Sequence, residues 1–141
     1  MKQEFLIKLK EMEKKFPFMF SAPASDKEIE QVEELLNVTL SEQYKTFLKH
    51  YGGAMVGPYP IFGPRPVESM DVSLNTVESV TAKFRKDGWD GADMGAIISE
   101  NHAGDPVILK NNGSVFLGSH DGAEQLSWSN FDEFLSWCLN R

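Results

Sequence analysis

Three histidines, His50, His102 and His120, are the residues best suited to acid–base or metal chemistry in this chain of 141 residues. His102 lies three residues before Asp105, and His120 directly precedes Asp121. If the loops that carry them met, two imidazoles and two carboxylates would suit a divalent metal. Neither pair has ligand spacing on a regular element, however, and Asp-Pro and Asp-Gly are common turn dipeptides. We therefore expect turns at these positions, with no metal and no cofactor.

Nucleophilic chemistry has even less support. The sequence has no Gly-x-Ser-x-Gly elbow, no zinc-type cysteine cluster and no glycine loop that would cradle a phosphate. The single cysteine, Cys138, lies among apolar residues and is expected to be a buried thiol. His50, near a predicted helix end, is expected to supply a favourable charge or hydrogen bond there. We predict that the protein is not an enzyme; a small metal-dependent hydrolase is the third and least supported hypothesis.

The elements that must position any site are clearest in the first third of the chain. Ser25 and Glu28 have the spacing of a capping box at a helix start, and Ser41 is placed to cap a second helix. Gly52 and Gly53 are predicted to end the second helix in the left-handed conformation. The apolar faces of the two helices are predicted to consist of Ile29, Val32, Leu36, Tyr44, Phe47, Leu48 and Tyr51.

Three further helices and several strands follow from the same reasoning. An amphipathic first helix is predicted to carry Phe5, Leu9, Met12 and Phe16 on one face and to end before Pro17. Later helices are predicted to begin at Asn75 with Glu78, and at Ser129 with Asp132. Strands are predicted at 59–62, 67–72, 96–99, 106–110 and 114–118, the last two joined by an Asn-Gly hairpin turn. The pattern predicts a single α+β domain over residues 1–141, with helices packed on a mainly antiparallel sheet.

The order of these pieces resembles the SUKH superfamily. The shared features are the acidic first helix of the pair, the segment Leu40 to Leu48, the glycines Gly52 and Gly53, and the apolar Ile61 to Gly63. The strand from Gly104 and the Phe-x-x-Phe-Leu helix from Phe131 to Leu135 extend the resemblance over nearly the whole chain. The resemblance implies the SUKH-like α+β fold. It also implies either a bacterial immunity protein that silences a toxin or, as in fungal relatives, a regulator linked to cell-wall synthesis.

Charge restricts the choice of partner. The formal net charge is −7: residues 1–51 hold eight basic and nine acidic groups, and residues 52–141 hold six and twelve. Such a surface repels phosphate backbones, so we expect no direct nucleic-acid binding, and the cluster of Lys83, Arg85 and Lys86 is interpreted as solvated helix charges. The N-terminus has no uninterrupted apolar stretch, which argues against a secretory signal or a membrane span. We therefore expect a cytoplasmic protein.

A recognition surface is the remaining signal. Asp87, Asp90 and Asp93 surround Trp89 on a glycine-flanked loop, a composition that suits partner binding because tryptophan supplies contact area and carboxylates supply attraction. The alternative is that Trp89 anchors the loop in the core and the aspartates are merely solvated. Both interpretations remain open from the sequence.

The resemblance implies an immunity protein, which we expect to bind a cognate toxin and neutralise it by occlusion through its acidic surface. A basic nuclease domain is one class of toxin that would suit the acidic surface. The alternative is a non-catalytic regulator or scaffold that binds an endogenous partner. The predicted contact residues, chosen for their placement in loops, are Asp87, Trp89, Asp90, Asp93, Glu100, Asp105, Asp121 and Glu124.

Overall fold

The fold was obtained as a computed structural model, which describes residues 1–70, 75–119 and 126–141. The helices are α1 (Gln3–Lys15), α2 (Asp26–Leu36), α3 (Glu42–His50), α4 (Val77–Lys86) and α5 (Phe131–Leu139), with a short 3-10 helix at Pro17–Met19. The strands are β1 (Ala54–Val56), β2 (Tyr59–Ile61), β3 (Gly95–Glu100), β4 (Pro106–Lys110), β5 (Val115–Leu117) and β6 (Leu126–Trp128). The predicted α+β architecture is confirmed.

All strand pairs in the described residues are antiparallel. Strands β1 and β2 form a two-stranded sheet, and the other four form a meander in the order β3-β4-β5-β6. The amide of Phe62 donates to the carbonyl of Ile98 at 2.8 Å, which ties the end of β2 to β3. The hydroxyl of Thr81 on α4 accepts from the amide of Ile97 at 2.9 Å. Helix α4 and the small sheet are therefore both fixed to strand β3.

The α2–α3 pair forms as predicted. The Ser25 hydroxyl accepts from the Glu28 amide at 3.1 Å while the Glu28 carboxylate accepts from the Ser25 amide at 2.9 Å. Asn37 ends α2 in the left-handed conformation with φ 54°. The Ser41 hydroxyl caps α3. The whole predicted apolar face is buried: Ile29, Val32, Leu36, Tyr44, Phe47, Leu48 and Tyr51.

Gly52 and Gly53 have a different role from the one predicted. Helix α3 ends at His50, with Tyr51 in an extended conformation, and neither glycine has a positive φ. A Cβ atom on Gly52 would lie 2.7 Å from the carbonyl oxygen of Ala22, and one on Gly53 would lie 2.6 Å from that of Arg65. The glycines are needed because other backbone segments pass too close for a side chain.

Several boundaries also differ. Helix α4 is capped by Thr76 with Ser79, one residue after the predicted pair, and α5 by Asn130, whose side chain accepts from the Glu133 amide. Residues 67–70 of the strand predicted at 67–72 form a turn, and residues 71 and 72 lie outside the described residues. Phe16 is 46% exposed, so it does not share the buried face of Phe5 and Leu9.

Candidate partner-binding surface

The structure places the predicted contact residues in two separate regions. Asp87, Trp89, Asp90 and Asp93 lie on the loop between α4 and β3, which we call the acidic loop (residues 87–94). Glu100 and Asp105 lie at the other end of β3, about five residue steps or roughly 16 Å along the strand. Asp121 and Glu124 lie outside the described residues. The six described residues therefore form two groups, of which the acidic loop is the larger.

Arg85 holds the acidic loop in place from beneath. Its Nε donates to the carbonyl of Ala92 at 3.0 Å and its Nη2 to that of Gly95 at 3.0 Å. Its Nη1 donates to the carbonyl of Leu36, the last residue of α2, at 2.8 Å. A planar guanidinium can donate to three fixed carbonyl oxygens at once, whereas the compact ammonium group of lysine cannot match the same arrangement of acceptors. The expectation that Arg85 is a solvated charge is wrong, because its donors are used inside the fold.

Backbone geometry fixes the loop further. The amide of Trp89 donates to the carbonyl of Phe84 at 3.1 Å, which returns the chain over the end of α4. Gly88 and Gly91 have φ values of 74° and 82°, a region that favours glycine. A Cβ on Gly91 would lie 3.0 Å from the ring of Phe116. Contacts within the chain itself thus fix the backbone of the loop.

The packing of Trp89 supports its interpretation as an anchor of the loop, while its role in partner binding stays a prediction. Its ring packs edge-on against Phe84, with centroids 5.4 Å apart and an interplanar angle of 81°. The side chain is nevertheless only partly buried. Trp89 therefore supports the loop from one side while presenting part of its ring to solvent.

The carboxylates of the loop face outward. Asp87, Asp90 and Asp93 are exposed, and the neighbouring Met94 is 49% exposed. Asp87 lies 3.6 Å from the ammonium group of Lys83. Neither Asp90 nor Asp93 has an ion pair within the part of the chain that the structure describes. The loop therefore presents two uncompensated negative charges next to exposed apolar surface.

The second region has a different character. Burial raises the pKa of the Glu100 carboxyl, and the nearby Lys83 partly opposes this rise. The Asn101 side-chain oxygen accepts from the amides of Ala103 at 3.0 Å and Asp105 at 2.8 Å, so this segment is a tight turn. The turn predicted at Asp105 is confirmed. Glu100 is partly buried, whereas Asp87, Asp90 and Asp93 are exposed.

The described histidine of the hypothetical metal site is held by an aromatic contact. His102 stacks on Tyr59 with ring centroids 5.2 Å apart and an interplanar angle of 10°. Its proposed partners His120 and Asp121 lie outside the described residues. Within residues 1–70, 75–119 and 126–141, no group of three or more His, Cys, Asp or Glu side chains is placed to hold a metal ion.

Burial raises the pKa of the Cys138 thiol to about 12, which leaves it protonated at neutral pH.

Two features of this surface were not visible in the sequence. The role of Arg85 depends on carbonyl groups 49 positions before it and up to 10 positions after it in the chain, and no local spacing indicates such a contact. The separation of Glu100 and Asp105 from Asp93 depends on the register of β3 with β4, which the apolar run around Ala96 to Ser99 does not give. Among the described residues, none of the helices has the length and apolar composition needed to cross a membrane.

Comparison with known proteins adds one finding. Residues 23–137, most of the chain, match the family described as SMI1 / KNR4 family (SUKH-1). No curated protein matches the chain. The matched range contains the acidic loop and excludes α1 and the 3-10 helix.

Proposed function

The chain belongs to the SMI1 / KNR4 family (SUKH-1), a family of immunity or regulatory proteins, and on that premise we propose that it is an immunity protein. It binds a cognate protein toxin and neutralises it by occlusion. The acidic loop is the principal contact, and no chemistry is required of the protein. The proposal places this encounter in the cytoplasm.

One observation carries this proposal: hydrogen bonds fix the backbone of the acidic loop, and its exposed carboxylates Asp90 and Asp93 have no ion pair among the described residues. Asp90 and Asp93 project from a backbone that Arg85 fixes at Ala92 and Gly95. A partner that binds such a loop does not have to order it first, so less of the contact energy is lost to conformational entropy. Fixed negative charge also attracts a basic partner from a distance.

The toxin that suits this surface is basic near its own functional site. Domains that cut nucleic acid need positive charge to hold their substrate, so a basic nuclease domain fits the acidic loop. An inhibitor that covers those positive groups would block substrate entry without touching the catalytic atoms. The nuclease class is our proposal from charge alone.

A rescue experiment tests the proposal directly. The toxic domain encoded beside this gene would be expressed in a sensitive cell, with and without this chain. Wild-type protein should restore growth, and Asp90→Lys with Asp93→Lys should fail to do so. The matched control is Glu30→Lys with Glu34→Lys, which makes the same charge change at exposed positions of α2 and should still rescue.

Two results would count against the proposal. If the neighbouring domain were not toxic, or if wild-type protein did not rescue growth, the immunity function would be contradicted and the regulatory alternative favoured. If both double variants rescued equally, immunity would stand but the acidic loop would not be the contact.

A further inference from the structure

An apolar groove lies beside α1, a helix outside the range matched by the family. It is lined by Met12 of α1, by Phe16 and Met19 around the 3-10 helix, and by Leu139 at the end of α5. The groove encloses about 430 Å³. Methionine side chains adapt their shape to a ligand, so Met12 and Met19 suit a surface that receives a bulky apolar group.

Two aromatic side chains beside the groove are left in water. Phe16 is 46% exposed and Phe18 is 47% exposed, and their ring centroids are 6.2 Å apart in an edge-on arrangement. Single exposed apolar residues are normal, whereas a contiguous apolar patch rimmed by polar residues marks an interaction site. Here the two rings continue the apolar lining of the groove onto the surface.

The rim of the groove is basic. Lys8 lies four residues before Met12 and Lys15 three residues after it, so all three share one face of α1. Glu11 is the acidic residue in the lining. Neither Lys8 nor Lys15 has an ion pair in the described ranges 1–70, 75–119 and 126–141. Both ammonium groups are therefore available to a partner's carboxylates.

The charge of this region is opposite to that of the rest of the protein. Residues 1–22 hold five basic and three acidic groups, whereas residues 23–141 hold nine basic and eighteen acidic groups. A positively charged element on an acidic protein selects a partner of negative charge.

We propose that the groove of α1 is a second docking site, which binds a protein segment carrying one bulky apolar side chain flanked by carboxylates. The apolar side chain packs against Met12 and Phe16, and the carboxylates pair with Lys8 and Lys15. This site shares no residue with the acidic loop, so the inference does not rest on the proposed immunity function.

Two other occupants agree less well with the observations. An anionic membrane surface would be repelled by the net charge of −7, and Glu11 lies within the face that would meet it. A second copy could offer its own acidic loop, but a closed dimer would need both loops to reach both grooves at once, and a head-to-tail contact that does not close would build open chains. A different protein meets neither objection.

Synthetic peptides provide the test. The full chain would be titrated into a fluorescein-labelled peptide of Gly, Ser, Asp and Glu with one central Phe, and binding followed by anisotropy. We expect this peptide to bind at least about tenfold more tightly than a version with Ala for Phe, or one with Lys for the acidic residues. Lys8→Glu with Lys15→Glu should weaken binding by about tenfold or more. The matched control, Lys10→Glu with Lys14→Glu, changes the same charge on exposed positions of α1 outside the groove and should have a much smaller effect.

Several outcomes would overturn the inference. Equal binding of the three peptides, or equal effects of the two lysine pairs, would show that the groove does not select an acidic, apolar segment. Sedimentation with phosphatidylglycerol vesicles that is lost in the Lys8→Glu, Lys15→Glu variant, without peptide selectivity, would assign the face to a membrane. Concentration-dependent self-association lost in the same variant would assign it to a second copy. Circular dichroism verifies that each variant is folded.

Discussion

The guanidinium of Arg85 donates a hydrogen bond to the carbonyl oxygen of Leu36 at 2.8 Å, so the last turn of α2 and the end of α4 are joined through one side chain. The C-terminal carbonyls of a helix carry partial negative charge, which makes a cation a favourable partner there. The same guanidinium also holds Ala92 and Gly95, at either end of the segment that carries Asp93. The acidic loop therefore depends on α2 for its position.

Arg85→Ala is expected to lower the free energy of unfolding by about 2–4 kcal/mol, because three backbone carbonyls lose a charged donor. Urea denaturation followed by circular dichroism would measure the change. Lys86→Ala, at the exposed neighbouring position, serves as control and should stay within about 0.5 kcal/mol of wild type. Equal effects of the two substitutions would mean that the guanidinium contacts add little stability.

Leu48→Ala is expected to lower the free energy of unfolding by about 2–5 kcal/mol, because Leu48 is fully buried and its loss leaves a cavity beside the apolar face of α3. Leu35→Ala removes the same atoms from a leucine that is 71% exposed and should be nearly neutral. Thermal and urea unfolding of the pair would separate burial from helix propensity. A neutral Leu48→Ala would contradict the packing of α3 against the core.

Stability should depend on pH through Glu78. Burial raises the pKa of its carboxyl, and the nearby Glu28 adds to the rise. A carboxyl group with a higher pKa in the folded than in the unfolded protein favours folding when protonated, so its contribution is lost as pH rises from about 4.5 through the folded pKa. Glu78→Gln is therefore expected to raise the Tm at pH 7 and to lose that advantage near pH 4.

Scanning calorimetry at the two pH values would test the Glu78 prediction. Glu30→Gln on the exposed face of α2 is the control and should change the Tm little at either pH. A lower Tm for Glu78→Gln at pH 7 would show that the ionised carboxylate is stabilised rather than penalised in the fold.

The purified protein is expected to contain no stoichiometric metal, because His102 is stacked on Tyr59 and Asp105 belongs to a tight turn. Elemental analysis would measure this. His102→Ala with His120→Ala should leave toxin inhibition within a few-fold of wild type. One tightly bound zinc or manganese per chain, lost in the double variant, would favour the metal-dependent hydrolase hypothesis over the immunity function.

Helices and strands that depend on the spacing of neighbouring apolar residues were predictable from the sequence. The apolar face of α3 and the apolar runs of β3 and β4 are visible as patterns in the sequence, and each element forms where its pattern indicates. The N-caps of α4 and α5 were predicted one residue too early. Several adjacent residues are good caps there, and packing selects one of them. In the β4–β5 turn, Gly113 alone takes the positive φ expected for the Asn-Gly pair.

Features that depend on distant segments were not predictable in this way. The tight approach of Ala22 and Arg65 to Gly52 and Gly53 joins segments up to 30 residues apart, so the sequence suggested a helix end instead. The inward orientation of Arg85 likewise depends on acceptors that only the folded chain brings together. In the candidate site, loop placement was predictable for Asp90 and Asp93, whereas their separation from Glu100 and Asp105 required the strand register.

Stopped-flow kinetics with the toxin at low and physiological salt would test most directly whether the acidic loop is the toxin-binding face. Asp87→Lys, Asp90→Lys and Asp93→Lys together should slow association, and the wild-type association rate should fall as salt rises, since attraction between an acidic loop and a basic partner speeds association by about 10 to 1,000-fold. Trp89→Ala should act mainly on dissociation, because a partly exposed aromatic side chain contributes after contact. If the folded triple variant kept the wild-type rates and salt dependence, the acidic loop would not be the toxin-binding face.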